Sequence, residues 1–217
     1  RLLFGPAIAA DGSLTDEGAA VDFVKQWEAG VKYRVGALNL FGTFFHAKTE
    51  EQNFEVTSLT FIDRKYRAYG VELEGAYSYG PFDITAGLTW TDADIAEDNL
   101  SPDPVGNTPR RQADLIYQVT PSYNAHNFSI GANIIGTTSS FAKFNNELKL
   151  PGYAQVNFFA NYEIIEGLMI SANINNLFDT LGVTEAEEGS IIPNADNIIR
   201  ARAINGRTAS VSLRYSF

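Results

Sequence analysis

The chain has 217 residues, a formal net charge of −10, 15 Phe, 10 Tyr and no Cys. The lack of Cys excludes disulfides, thiolate-bound zinc and thiol catalysis. The acidic balance argues against nucleic acid as a partner, because phosphate contacts need clustered Lys and Arg.

Apolar and polar residues alternate along most of the chain. In the first such stretch, Trp27, Ala29, Val31 and Tyr33 share one face, and the same period of two returns down to the terminus. This period predicts β-strands, and no long helical period competes with it. The stretches lie at 26–35, 37–46, 70–79, 82–91, 113–123, 128–137, 153–163, 168–178 and 207–217.

The connections between these stretches are short and long in turn. Short turns are predicted near 35–36, 79–81, 124–127 and 165–167, and longer polar loops around 47–64, 93–110, 142–151 and 180–206. This order is typical of an up-and-down meander that has tight turns at one end and large loops at the other.

Periodicity alone fits either a soluble β-protein or a membrane barrel with its apolar face toward lipid. Three features favour the membrane: aromatic residues near strand ends, stretches of about 9–11 residues, and the asymmetry of the loops. We therefore predict an all-β, antiparallel, up-and-down transmembrane β-barrel segment. A soluble ligand-binding β-barrel remains the alternative.

Nine strands do not close an up-and-down barrel, because bacterial single-chain barrels have even strand numbers. We expect residues 23–217 to be the C-terminal part of a larger barrel, supplying about 9–10 of its strands. Residues 1–22 are expected to form an outer loop or a partial strand. The last strand then ends in the periplasm.

Several segments resemble TonB-dependent outer-membrane receptors. "NINNLFDT" and the later "NGRTASVSLRYSF" are similar to the last two strands of that family. "QWEAGVKYRV", "YGVELEGAYS" and "GNTPRRQADLIYQV" resemble earlier strands. The matching positions are Glu28, Gly30, Lys32, Gly70, Glu72, Glu74, Pro109, Arg111, Asn176, Leu177, Phe178, Asp179, Gly206, Arg207 and Phe217.

The resemblance implies a barrel of the 22-stranded type, plugged by an N-terminal domain that this sequence lacks. It also implies import of a scarce large nutrient, such as an oligosaccharide or a ferric siderophore. The expected partners are the TonB complex through the plug, the barrel-assembly machinery, and outer-membrane lipid and lipopolysaccharide. A passive porin or small structural barrel is the alternative.

Two sets of candidate functional residues follow. The alternating residues of the last strand are expected to act as the assembly signal: Val211, Leu213, Tyr215 and Phe217. Residues at or near the outer loops are candidates for ligand contact: Trp90, Asp92, Asp94, Arg110, Arg111, Lys143, Asn145 and Asn146.

Acidic residues concentrate in two of the predicted loops, where we expect mainly solvated carboxylates. Ca²⁺ binding or bridging to lipopolysaccharide through divalent ions is the other interpretation. No twelve-residue spacing of the EF-hand type is present, so no metal or cofactor site is assigned, and no pattern indicates an enzyme. The residues concerned are Asp92, Asp94, Glu97, Asp98 and Asp103, then Glu185, Glu187, Glu188 and Asp196.

Overall fold

A computed structural model of the protein describes residues 23–55, 60–187 and 198–217. Residues 1–22, for which an outer loop or partial strand is predicted, lie outside the described residues. The strands are β1 (Phe23–Val35), β2 (Leu38–Glu55), β3 (Thr60–Tyr79), β4 (Phe82–Asp98), β5 (Leu115–Ala125), β6 (Phe128–Thr137), β7 (Ser140–Phe141), β8 (Lys149–Leu150), β9 (Tyr153–Ile165), β10 (Leu168–Asn175), β11 (Val183–Ala186), β12 (Ala201–Ala203) and β13 (Thr208–Tyr215).

Nine of these strands form one antiparallel sheet in the order β1-β2-β3-β4-β5-β6-β9-β10-β13. All four predicted short turns are confirmed, at residues 36–37, 80–81, 126–127 and 166–167. Gly36 and Gly80 have φ of 55° and 56°, a conformation that tight hairpins require and glycine adopts without strain. We call this edge of the sheet the short-turn end and the opposite edge the long-loop end.

Two of the predicted long loops are wrong in their extent. Around 47–64, β2 continues to Glu55 and β3 starts at Thr60, and β4 continues to Asp98 within the predicted loop 93–110. β3 alone has 20 residues, about twice the predicted length. Apolar alternation stops near residues 45 and 91, but backbone pairing does not need it. Cross-strand charge pairs support the ladder beyond that level.

Apolar side chains form a continuous row across one face of the nine-stranded sheet. The register places Val31 opposite Gly42, Gly42 opposite Leu73, and Leu73 opposite Leu88. The same face continues to β13, where Leu213 pairs with Ile170. Many of these side chains are exposed, because no second layer packs against them in the described part of the chain. An exposed apolar face of this size indicates a non-aqueous neighbour.

The other face of the sheet, which we call the polar face, carries mostly Thr, Ser, Asn, Gln and charged residues. Phe41 and Phe45 interrupt its alternation, and the structure gives the reason for Phe45. A Cβ on Gly70 would lie 2.4 Å from the ring of Phe45, so the ring occupies the place of the missing side chain. This close packing of an aromatic ring over a strand glycine supports the register.

The loops at the long-loop end contain their own small apolar core. Two short hairpins, β7–β8 and β11–β12, pack around Ala142, Leu150 and Ala186, each at most 5% exposed. The described parts of the loops after β6 and β10 are therefore packed against each other. Within the described residues, no helix has the length and apolar character to span a membrane.

Candidate functional site

A group of polar and aromatic side chains meets on the polar face at the long-loop end. We call it the polar-face cluster: Glu51, Arg64, Tyr66, Asp98, Arg110 and Phe144. Three of its positions follow from strand alternation. Arg64 and Tyr66 share the polar face of β3 with Glu72, and the register sets Glu51 opposite Arg64. Two long loops supply Arg110 and Phe144.

Arg64 and Asp98 form the ion pair at the centre of this cluster. Nη2 of Arg64 lies 2.5 Å from Oδ2 of Asp98, and their side chains are 11% and 1% exposed. Oδ1 of Asp98 accepts hydrogen bonds from the backbone N–H groups of Leu100 and Ser101. Burial alone would raise the pKa of the Asp98 carboxyl, but these donors and Arg64 outweigh it and hold the pKa below its usual range.

The ring of Phe144 contacts the guanidinium groups of both Arg64 and Arg110. The guanidinium carbon of Arg64 lies 3.8 Å from the ring centroid, and that of Arg110 lies 4.7 Å from it. Cation–π contacts of this kind contribute about 0.5–2 kcal/mol, more when water is excluded. The ring therefore links β3 to the loop that leads into β5.

Tyr66 completes the cluster with a hydrogen bond to Glu51. Its hydroxyl donates to Oε2 of Glu51 over 2.5 Å. Burial and this bond to a carboxylate raise the pKa of Tyr66 to about 12. Tyr66 therefore remains a neutral donor throughout the physiological range, while Glu51 is held as an acceptor.

The two loops that supply Arg110 and Phe144 are joined by hydrogen bonds. The side-chain amide of Asn146 accepts from N–H of Thr108 and donates to its C=O. Asn107 donates to the carbonyl of Phe144 over 2.9 Å. Asn146 has φ of 57°, which Asn adopts more readily than most residues. Asn146, a candidate ligand contact, thus has a structural contact of its own.

The remaining candidate ligand residues lie in two separate places. Arg110 belongs to the cluster, and Arg111 pairs with Glu185 over 2.7 Å at the neighbouring β11–β12 hairpin. Lys143 and Asn145 lie in the loop that carries Phe144. Three others lie on the opposite side of the sheet: Trp90, Asp92 and Asp94.

Trp90 is the last large member of the apolar row on β4, where it meets the edge of Tyr69 at 5.9 Å. Asp92 accepts a hydrogen bond from the Tyr69 hydroxyl, and Asp94 pairs with Arg67 over 3.0 Å. The expectation that these carboxylates sit in a solvated loop is wrong, because both lie on β4. Glu97 and Asp98 are also on β4, where each pairs with a cation of β3.

The described residues contain no group of three or more His, Cys, Asp or Glu arranged to hold a metal ion. Asp103 lies in the loop between β4 and β5, and Glu187 forms a loose pair with Arg200, at 3.7 Å. Glu188 and Asp196 lie outside the described residues.

The Asn-Leu-Phe-Asp segment locks the last two strands of the sheet together. Asn176 is 1% exposed, and its side chain bonds to the backbone of Thr180 twice and of Asn205 once. Asp179 accepts a hydrogen bond from the backbone N–H of Arg207, the residue before β13. The segment therefore fixes the chain on both sides of the β10–β13 connection. Phe178, in contrast, is 71% exposed.

The last strand presents its alternate residues on the apolar face. Val211, Leu213 and Tyr215 are each more than 60% exposed, and Phe217 follows in contact with Tyr215. Within the described residues, β13 pairs only with β10, so its other edge is open.

A groove lies on the concave polar face, between the polar-face cluster and the short-turn end. This groove of about 910 Å³ is bounded by β1 to β6. Four charged side chains face it, two cations on β1 and two carboxylates on β3: Lys32, Arg34, Glu72 and Glu74. The arrangement can hold a polar protein segment or solute, and it contains no nucleophile paired with a base.

A single curved antiparallel sheet with an apolar outer face and a polar concave face defines a segment of a transmembrane β-barrel. A family model described as "TonB dependent receptor-like, beta-barrel" matches residues 23–177. The chain belongs to this family, the TonB-dependent receptors. No curated protein matches it in sequence. The family assignment leaves the soluble-barrel alternative without support.

Solved receptor structures share the fold at low sequence identity. BauA, the ferric preacinetobactin receptor of Acinetobacter baumannii, is 21% identical with a TM-score of 0.72, and the match covers 98% of this chain and 32% of that one. FyuA, the ferric yersiniabactin uptake receptor of Yersinia pestis, is 18% identical with a TM-score of 0.72, covering 90% and 30%.

The siderophore receptor PiuA of Acinetobacter baumannii is 20% identical with a TM-score of 0.72, and the match covers 88% of this chain and 28% of that one. The chain thus spans about a third or less of the length of these receptors. At such identities the similarity shows the fold alone.

Proposed function

We propose that the chain forms part of the wall and extracellular loops of an outer-membrane receptor that imports its ligand with energy supplied through the TonB complex. The polar-face cluster is the observation that carries this proposal. It places two guanidinium groups and an aromatic ring on the concave face. The loops that carry Arg110 and Phe144 are hydrogen-bonded to each other and line one side of the proposed barrel opening.

The proposed orientation places the short-turn end and the C-terminus in the periplasm. The loop asymmetry supports it, because bacterial barrels have short periplasmic turns and longer extracellular loops. The charged groove then faces the plug domain, which would connect the receptor to TonB. The exposed residues Val211, Leu213, Tyr215 and Phe217 are proposed as the signal for the barrel-assembly machinery.

A ferric siderophore is the ligand class that we favour over an oligosaccharide. Siderophore chelates carry negative charge and often aromatic donors, which suit Arg110 and Phe144 through charge-assisted hydrogen bonds and stacking. Arg64, which is bonded to Asp98, supports the ring of Phe144 from the protein side. PiuA is named as a siderophore receptor, and FyuA and BauA as ferric yersiniabactin and ferric preacinetobactin receptors, which supports the same class. Arg111, Lys143 and Asn145 lie close enough in the chain to extend the contact.

The test uses the full receptor that contains this chain, in detergent for binding and in cells for uptake. The probes are a ferric tris-catecholate, a ferric tris-hydroxamate and a maltodextrin. We expect Arg110→Ala to raise the Kd of the bound ferric chelate about tenfold, which corresponds to about 1.4 kcal/mol. Arg214→Ala is the matched control at the other end of the polar face, and should leave the Kd unchanged.

Uptake distinguishes the receptor from a passive porin. Removal of TonB should abolish accumulation of the iron chelate while binding persists. Accumulation that continues without TonB would support the porin. Binding of the maltodextrin alone, with Arg110→Ala reducing it, would replace the siderophore by an oligosaccharide.

A further inference from the structure

The outer face of the sheet changes its chemistry sharply at one level. Aromatic side chains at the upper edge of the apolar row form a belt, which we define as Trp27, Phe44, Tyr69 and Trp90. The ring of Trp27 lies 5.5 Å from that of Phe44, and Tyr69 meets Trp90 at 5.9 Å. Such belts mark the boundary between hydrocarbon and headgroups.

Three cations stand side by side immediately above this belt. The register sets Lys25 opposite Lys48 and Lys48 opposite Arg67, on the same face as Trp27 and Tyr69. All three are exposed. We call them the cation row. Directly opposed residues have Cβ atoms about 4.5–5.5 Å apart, so the row spans about 10 Å over three adjacent strands.

Two of the three cations in the row have no ion-pair partner within the described part of the chain. Arg67 pairs with Asp94 on β4, but neither lysine has a carboxylate within 4 Å among the described residues. Other charged groups face the row from the next level up, where Glu50 lies opposite Lys65 and Lys65 pairs with Glu97. Like charges placed directly opposite destabilise a sheet. An external anion between the lysines would remove that repulsion.

The depth of the row identifies the anion. Lys25 is two residues beyond Trp27, which is about 7 Å along a strand and about 5 Å along the membrane normal for a tilted strand. Each headgroup layer adds roughly 5–7 Å to the hydrocarbon core. The ammonium groups therefore lie at the level of lipid headgroups, on the side that faces lipid.

We propose that Lys25, Lys48 and Arg67 bind the phosphate groups of a lipid in the outer leaflet, of the kind that lipopolysaccharide carries. The proposal rests on the outer-membrane placement proposed above, with the long-loop end outside. It differs from bridging by divalent ions, because the row offers cations directly to the phosphates. The lipid chains pack along the apolar row below.

The test compares lipids retained by the full purified receptor in native mass spectrometry. The probes are lipid A with both phosphates, the same lipid A without phosphate, and inorganic phosphate. We expect the double variant Lys25→Gln, Lys48→Gln to lower retention of phosphorylated lipid A about tenfold, and to leave the dephosphorylated form unchanged. Lys32→Gln, on the polar face of β1, is the matched control and should have no effect.

A second double variant, Lys25→Arg, Lys48→Arg, controls for misfolding caused by substitution at these positions. It keeps both charges and should retain the phosphorylated lipid. The effect should weaken at high salt, because exposed charges are screened. Equal retention by the Gln variant would overturn the proposal. So would equally strong binding of inorganic phosphate, which would indicate a site for a free anion. Ligand affinity and TonB-dependent uptake are measured in parallel. Failure of the proposed import function can therefore be distinguished from failure of the proposed lipid site.

Discussion

The two halves of the β3–β4 hairpin share one hydrogen-bonded ladder but have different surfaces. Near the short-turn end the ladder pairs apolar residues, such as Leu73 with Leu88 on the outer face. Near the long-loop end it pairs ions, such as Arg64 with Asp98 and Lys65 with Glu97. Trp90 and Tyr69 lie at the change between the two halves.

This comparison shows that the backbone and the surroundings impose separate requirements. A ladder satisfies the backbone groups in either medium, so a strand can pass from lipid into water without a break. The side chains must change with the medium. Each half of the hairpin is therefore expected to tolerate substitutions that the other does not.

The largest effect is expected in the upper half, at the buried ion pair. Asp98→Ala leaves Arg64 buried without its carboxylate, and breaking such a pair costs about 3–5 kcal/mol. Hydrogen exchange of the full receptor should show faster exchange in the part of β3 between residue 67 and the long-loop end, and in the loop 99–114. Glu97→Ala, one residue away, removes an exposed partner and should change exchange little. Equal effects of the two variants would contradict the burial argument.

The next effect is expected in the lower half, on the lipid side. Leu73→Lys puts a charge in the middle of the apolar row, where lysine destabilises a membrane barrel by about 2–4 kcal/mol. Refolding of the full receptor into lipid vesicles, followed by urea titration, measures this loss. Thr85→Lys, on the polar face of β4, is the control and should change the urea midpoint much less. A similar loss for both variants would mean that the apolar row does not face lipid.

The sequence predicted the lower half well because its signal is local. Alternation such as Val71, Leu73 and Tyr77 shows the strand, the outer face and the register together, and Gly80 marks the turn. The resemblance of the Asn-Leu-Phe-Asp segment also pointed to the correct family. Its physical role depends on Asn205, 29 residues away, and was not visible in the sequence.

The upper half and most of the site were not predicted, because their signals are long-range. Arg110 is the one member of the polar-face cluster among the ligand candidates from the sequence. Apolar alternation ends at the level where the strands leave the apolar surroundings for water. The sequence therefore predicted ends for β2 and β4 that are too early. The partners Arg64 and Asp98 are 34 residues apart, and Phe144 reaches them from a further loop. Alternating polar residues in "DRKYRAYG" were the one local sign that β3 continued upward, with Arg64 and Tyr66 on one face.

The smallest expected effect is a pH response of the upper half alone. Burial and the bond to Glu51 raise the pKa of Tyr66 to about 12 in the folded protein, above about 10 for an unfolded tyrosine. A raised folded pKa stabilises the protein below pH 10, and this contribution is lost as the pH rises toward 12. The absorbance difference between the full receptor and its Tyr66→Phe variant, recorded after rapid pH jumps, should therefore titrate near 12. Glu51→Gln removes the carboxylate but keeps an acceptor, so the midpoint should fall while staying above 10. A difference that titrates near 10 in the parent would show that the Tyr66–Glu51 contact is open to water, and that the upper half lacks the ordered cluster on which the proposed ligand site depends.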